Sequence, residues 1–524
     1  MKSLKRSVRT ASRLGVIATV VGIAFAGLAA AAPANAVADI VNLPTAPTHA
    51  TVNCTPANTA TVASTAAFSA AYTNSAISCI NLAADIDFEG ANTFTGVNTA
   101  LNRSLSIDGQ GHNLTFGIWA ATGNRPFFLQ NQSTYNTGLT FQLHNMNVTS
   151  GWDVYLVSGT DEKATGWDVV FDGVKLDGIP GYGEGSPSGR PVSGYLANVF
   201  LEGTGSAVNT FGRTFPRNVI VEPGAKWALA PAQAGKDEPQ LDMSFGLGQG
   251  PAGSSGQVWV LGDLNVDGGA YSAIFGFGGL YVGSEGALTA TTHTAGITFG
   301  ALTTAAGGAG TGDVWVDNGG SLSVTNDKGM AIYAVLGAPL DMRADPGSSV
   351  VITGNSDPGW APASHLAAIT MATAGSSLQF NEPAILDIKN EGNQSSNNWA
   401  VAALSGLNST FTYNLDIYDA QQISTWNHST PIAANPDASH DDATLLTNAD
   451  GAALSGSSPS DMVSSWNSDN YRRIFAASTP VNELPLINPL VALITTVGAV
   501  AVAGAVALPL LAKRRRASST AKGL

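Results

Sequence analysis

The sequence predicts an all-β protein wound as a solenoid of parallel strands. Composition is the first reason. Charged residues make up 12% of 524 positions and 59 residues are Gly, where a typical domain has about 25% charge. Low charge with many Gly and β-branched residues favours strands and tight corners over helical bundles. The second reason is a recurring unit, seen at Val219–Trp227, Leu280–Leu288, Val314–Leu322 and Met342–Val350. Thr370–Leu378 is a degenerate copy and Val258–Leu264 a shortened one. The third is period-two alternation inside each unit, which sends one set of side chains inward and the next outward.

Each unit is a short alternating strand, a Gly-containing corner and a second alternating strand such as Leu322–Val324. Gly supplies the positive φ that such a corner needs. Later units recur at roughly thirty residues, a solenoid-type period. So short a unit cannot bury its apolar face alone, and stacking in register gives parallel strands around a long thin core. Nothing in these residues sets the hand of the coil. Upstream, Ile77–Ile86, Leu105–Ile107, Leu114–Phe116, Leu139–Leu143 and Met146–Val148 also alternate, with a tight turn at Asp108–His112. Thr65–Ala76 reads as a short helix with Phe68 and Tyr72 on one face. A helix there would cap the open end of the solenoid.

Both termini carry targeting signals. Residues 1–36 read as a secretory signal peptide: a basic start, an apolar run from Leu14 to Ala31, and a small-residue cleavage site at Ala34–Ala36. Residues 486–512 read as a transmembrane anchor, because Leu490–Ala512 has no charge and is long enough to cross a bilayer. The tail 513–524 opens with Lys513–Arg516, which the positive-inside rule keeps cytoplasmic. The expected location is therefore the cell membrane, single-pass, with the ectodomain on the cell surface. Residues 39–425 form the expected β-helix. Residues 426–485, rich in Ser, Ala, Asn, Asp and Pro, read as a flexible stalk.

The net charge of −14 repels phosphate, so nucleic-acid binding is discarded, and anionic lipids and acidic polymers are disfavoured. The two cysteines, Cys54 and Cys79, form an even pair in an exported chain and read as a disulfide. The histidines show no metal-ligand spacing, and no cofactor or metal is expected.

The segments Val62–Phe68, Ile80–Ile86, Ser104–Phe116 and Leu139–Val148, with Phe380–Asn390 and Ser424–Trp426 near the end, resemble the pectate-lyase-like adhesive domain of Gram-positive surface proteins. The resemblance spans about residues 60 to 430. It implies a right-handed parallel β-helix acting in adhesion or wall association. That family usually carries a Leu-Pro-X-Thr-Gly sorting signal, and Leu484–Asn488 departs from it. Retention by the membrane helix is the reading preferred here.

Pectate lyases resemble this fold and use strand-face acids for calcium with an arginine base. Val314–Asn318 and Arg213–Arg217 match their motifs poorly and in reversed order, and the repeat already explains Val314–Val316. Asp153 and Asp168 stand in the twin segments Gly151–Leu156 and Gly166–Phe171. On neighbouring coils such a pair could serve glycoside hydrolysis or hold calcium. The binding residues expected instead are aromatic. Trp259, Tyr281 and Trp315 sit mid-strand, pointing away from the core, and Arg343 continues their line. Such a strip suits sugar rings and protein partners. The expected function is a non-catalytic adhesin whose partner is an extracellular glycan or a matrix or cell-surface protein. A β-helix polysaccharide lyase or hydrolase, and a structural envelope protein, are the alternatives.

Overall fold

The computed structural model describes residues 43–88, 101–116, 128–129, 138–150, 157–158, 167–178, 197–208, 216–231, 241–242, 256–268, 272–293, 296–299, 312–334, 339–356, 367–372, 375–392, 398–405, 408–409, 413–445 and 471–479. Side chains that alternate in the sequence alternate here between a common core and the outside. The strand Asn198–Glu202 buries Val199 and Leu201 in the main cluster, while Phe200 and Glu202 face away from it. Repeated along the stacked strands, this gives the described residues one large continuous apolar cluster.

Among the described residues most strands stack in parallel on three faces of the coil, labelled sheets A, B and C. Sheet A takes the first strand of each coil, from Thr59–Val62 to the start of Asn414–Asn427. Its inward partners run Phe141, Val169, Val199, Val219, Val258, Leu280, Val314, Met342, Leu378 and Leu415, each paired with the next. All ten lie in the main core cluster. Sheet B takes the second strands, with Leu264, Leu288, Leu322, Val350 and Leu386 in one such column. Sheet C is shorter, and its Ile297, Ile332, Ile369 and Val401 close the third side of the later coils. Parallel strands joined by whole coils need no hairpins, so every inner position reads as apolar.

Corners between sheets A and B show why Gly and Asn recur. Asn145, Gly173 and Gly203 all adopt positive φ, at 52°, 59° and 59°. Asn and Gly tolerate this region, which β-branched residues avoid. At the Asp108–His112 turn, a Cβ on Gly109 would overlap Met146, so only Gly lets the two coils approach.

The cap is the helix α1, Thr65–Thr73, three residues shorter than the expected Thr65–Ala76. The Ser64 side chain accepts from the Ala67 N–H and starts it. Phe68, Ala71 and Tyr72 are buried, and Phe68 meets Phe88 edge-on at 5.6 Å. Arg103 ends the helix by donating from Nη2 to the Tyr72 carbonyl at 2.7 Å and from Nε to Ile77.

At the other end the expected stalk needs correction. Within 426–485, Ala438–Leu445 and Tyr471–Ala477 are strands. Tyr471–Ala477 pairs antiparallel with both Ile385–Asn390 and Asn414–Asn427, bridging sheets B and A at the last coil. It is buried along its whole length. Composition misled because the segment's apolar residues are concentrated in short runs: Ile474 and Ala476 enter the main core, Phe475 and Ala477 pack with Trp426, and the charged Arg473 beside them is buried in a pair. Arg473 donates from Nε and Nη2 to the two carboxylate oxygens of Asp387, at 2.8 and 3.1 Å, and its guanidinium lies 4.5 Å from the Trp426 ring.

Among the described residues no helix is long and apolar enough to cross a membrane. The signal peptide, the Leu490–Ala512 run and the Leu484–Asn488 motif all lie outside the described residues.

Candidate functional site

The outer face of sheet A carries three side-by-side columns, because parallel strands in register place like positions one above another. The middle column links Thr59, Cys79, Ser106, Gln142, Val170, Phe200, Ile220, Trp259, Tyr281, Trp315, Arg343, Gln379 and Asp416 through consecutive pairings. Trp259, Tyr281, Trp315 and Arg343 are therefore consecutive members of one line, as alternation implied, and the three aromatics lie outside the main core cluster.

Although they point away from the core, the three aromatics are covered. Trp259 is 3% exposed, Tyr281 2% and Trp315 4%. An N-terminal arm, residues 43–58, crosses this face without joining the sheet. Trp259 Nε1 donates to the Pro44 carbonyl at 3.0 Å, the His49 ring stands 4.6 Å from Phe200, and Thr140 Oγ1 donates to the Ala50 carbonyl. The Cys54–Cys79 disulfide then ties the arm to sheet A, as the cysteine pair implied. From Cys79 to Trp259 is six strand steps, about 29 Å at about 4.8 Å each, and the ten residues from Pro44 to Cys54 reach about 33 Å when extended. The arm is thus stretched along the column.

Further up, neighbouring side chains cover the aromatics. Tyr281 lies back over Gly279, where a Cβ would come within 2.6 Å of its hydroxyl. Burial, and after it Asp313, pushes the Tyr281 phenol well above its ordinary value. Trp315 Nε1 donates to Asp345 Oδ2 at 2.7 Å. Arg343 stacks 4.4 Å from the Trp315 ring while its Nε donates to Asp345 Oδ1. Arg343 is only half-buried, with a side-chain exposure of 32%.

The second column is polar. Asn198 Nδ2 donates to Asp168 Oδ1 at 2.9 Å, Asn218 Nδ2 to Asn198 Oδ1 at 2.9 Å, and the Gln257 N–H to Asn218 Oδ1. Asp168 is thus the foot of an amide ladder, 8% exposed, and burial raises its carboxyl above the usual range although the Asn198 bond opposes it. Its supposed partner Asp153 lies outside the described residues.

The third column is acidic and was missed in the sequence. Asp108, His144, Asp172 and Glu202 are consecutive partners. Glu222 extends the line, since its N–H donates to the Leu201 carbonyl in the same ladder. All five are half-buried. Burial, then Glu202, raises the carboxyls of Asp172 and Glu222. His49 reaches this column from the arm, with Nε2 2.6 Å from Glu202 Oε1. That hydrogen bond raises His49 above imidazole's ordinary value, against the opposing pull of burial. Ligating atoms of His49, Glu202 and Glu222 all lie within 4.8 Å of one another. His49 and Glu202 are 153 residues apart, so no local spacing could have announced the cluster. Beside the foot of the column, Asp108, Gln110, Asn145 and Asn147 line an open polar concavity of about 530 Å³ at the sheet corner. Carboxylates and amides at a strand-to-strand period can bind cations or the hydroxyls of an extended sugar.

The lyase-like motif is a corner of the repeat. Val314–Val316 lie in the strand Gly312–Val316, and Asp317–Gly320 forms the turn after it, with Gly319 at φ 81°.

No curated protein and no solved structure shows significant similarity to the chain. Residues 59–178, which hold the cap helix, the first coils and the lower half of the acidic column, match the family model of the pectate lyase-like adhesive domain.

Proposed function

We propose that this chain is an adhesin-like interaction module, non-catalytic and displayed at a cell surface, whose right-handed β-helix binds an extended glycan or surface protein. The observation that supports this reading most is the unbroken register of sheet A. Thirteen strands in succession share one column, twelve steps or roughly 60 Å at about 4.8 Å each. A rod of that kind offers a long, stiff, shallow face. The adhesive description of the family matched at 59–178 points the same way. With the aromatic column covered, the contact surface of this reading moves to the half-buried acidic column and the concavity beside Asp108. Export by the N-terminal signal and anchoring by the C-terminal apolar run belong to the same proposal.

The test is a glycan and matrix-protein binding screen on residues 39–485, run beside a reducing-sugar release assay. Binding without sugar release supports the reading. Release that depends on Asp172 or Glu222 would replace it with a polysaccharide lyase or hydrolase, and no binding to any surface ligand would leave a structural envelope role.

A further inference from the structure

We propose that His49, Glu202 and Glu222 form a binding site for a zinc-class divalent cation, which fastens the N-terminal arm to the outer face of sheet A. Three separate elements supply the ligands. His49 comes from the arm, Glu202 ends the strand Asn198–Glu202, and Glu222 follows the strand Asn218–Val221. Their ligating atoms lie within 4.8 Å of one another, and each residue is half-buried.

The imidazole carries the argument beyond a group of acids. His49 Nδ1 stands 3.4 Å from the Ala50 carbonyl and Nε2 stands 2.6 Å from Glu202 Oε1. Both neighbours are acceptors, so a neutral ring would aim a lone pair at one of them. A second proton or a metal ion on the ring answers both acceptors, whereas a neutral ring protonated on Nε2 answers Glu202 alone and leaves the Ala50 carbonyl to Thr140 Oγ1. With Nδ1–H donated to a backbone carbonyl, Nε2 is the free ligating atom, the arrangement that metal-bound histidines use. Glu222 then has a reason to be there. A lone imidazolium would be satisfied by Glu202, yet a second carboxylate is held beside the first at a cost in like-charge repulsion. A divalent ion answers both carboxylates and the ring at once.

Donor chemistry sets the metal class. One imidazole with two carboxylates suits zinc, whereas calcium takes oxygen donors and more of them. Three protein ligands leave one position for water. The ion would sit where the arm passes Phe200, between the disulfide at Cys54 and the Pro44–Trp259 bond, and would lock the cover over the aromatic column.

The full chain, purified in detergent and stripped with chelator, is titrated with zinc chloride by calorimetry, and the arm is probed by limited proteolysis. One strong site per chain is expected. His49→Ala should weaken it at least a hundredfold. Glu222→Gln, which leaves the His49–Glu202 pair and the disulfide intact, should weaken it at least tenfold. Zinc should slow cleavage between Leu43 and Val52 in the unmodified chain and not in Glu222→Gln, and calcium should do neither. The pairs His112–Asp85, His144–Asp108 and His293–Asp327 each offer one imidazole and one close carboxylate, so a strong site that survives in both variants lies elsewhere and overturns the proposal. So does the lack of any strong zinc site, which would leave His49 as a protonated partner of Glu202 only. Protection by calcium in place of zinc would overturn the metal class.

Discussion

Removing Arg473 is expected to destabilise the protein by about 3–5 kcal/mol, the usual cost of orphaning one member of a buried ion pair. Arg473 is 1% exposed and Asp387 6%, so neither charge has water to fall back on. Two charge-assisted hydrogen bonds join them, and the guanidinium also rests 4.5 Å from Trp426 and 5.8 Å from Phe475. Arg473→Ala loses both bonds and the ring contact, and leaves a carboxylate buried in the strand Ile385–Asn390. Lys at this position keeps the charge but not the fork, so it should recover only part of the loss. Unfolding entropy of about 2.1 cal/mol/K per residue over roughly 400 residues converts the loss into a Tm drop of about 4–6 °C if the fold unfolds as one unit. A solenoid can instead open from one end. Thermal melts of residues 39–485 should therefore be read beside limited proteolysis of the 471–479 strand. The paired replacement Arg473→Met with Asp387→Leu should restore most of the stability, because it removes both charges together. A loss under about 1 kcal/mol for Arg473→Ala, with the protease pattern unchanged, would refute the claim that this strand is part of the fold.

Cys54→Ser should loosen the arm and cost about 3 kcal/mol in the chain-entropy model, seen as a lower melting temperature and faster cleavage near Val52. Gly205→Ala should cost about 1–3 kcal/mol, since the new Cβ would overlap the Trp227 ring that fills the space opposite; denaturant unfolding measures it. Asp168→Asn should raise Tm at pH 7 and leave it unchanged at pH 3. The native carboxyl is raised by burial, so its ionised form penalises the fold above that raised value, and the penalty fades as pH falls towards the unfolded value of about 3.9. Asn at 168 also continues the amide ladder of Asn198 and Asn218.

Much of the architecture was written locally. The alternation at Val219, Leu280, Val314 and Met342 and the Gly after each strand specify an inward column and a corner, and these four residues do share one core. Strand register follows from the same pattern, because a slip by one residue would turn every apolar side chain outward. That is why Trp259, Tyr281, Trp315 and Arg343 could be placed in one line before any coordinates. The Cys54–Cys79 pair was equally legible, since no other cysteine competes. The segment 426–479 was not, because its apolar residues form short runs such as Ile474–Ala477, buried on both faces and set beside the charged Arg472 and Arg473, so they carry no period-two signal within a polar composition.

The coil, its core columns, its helical cap and the set of side chains facing away from the centre all follow from local pattern. Those properties depend on residues a few positions apart, and on identical choices repeated strand after strand. What the outward side chains meet depends instead on packing between distant parts of the chain. Exposure of Trp259 depends on an arm that begins more than two hundred residues earlier, and the His49–Glu202–Glu222 cluster joins residues that no periodicity relates. Facing outward is a property of one strand, whereas being free to bind is a property of everything else that packs upon it.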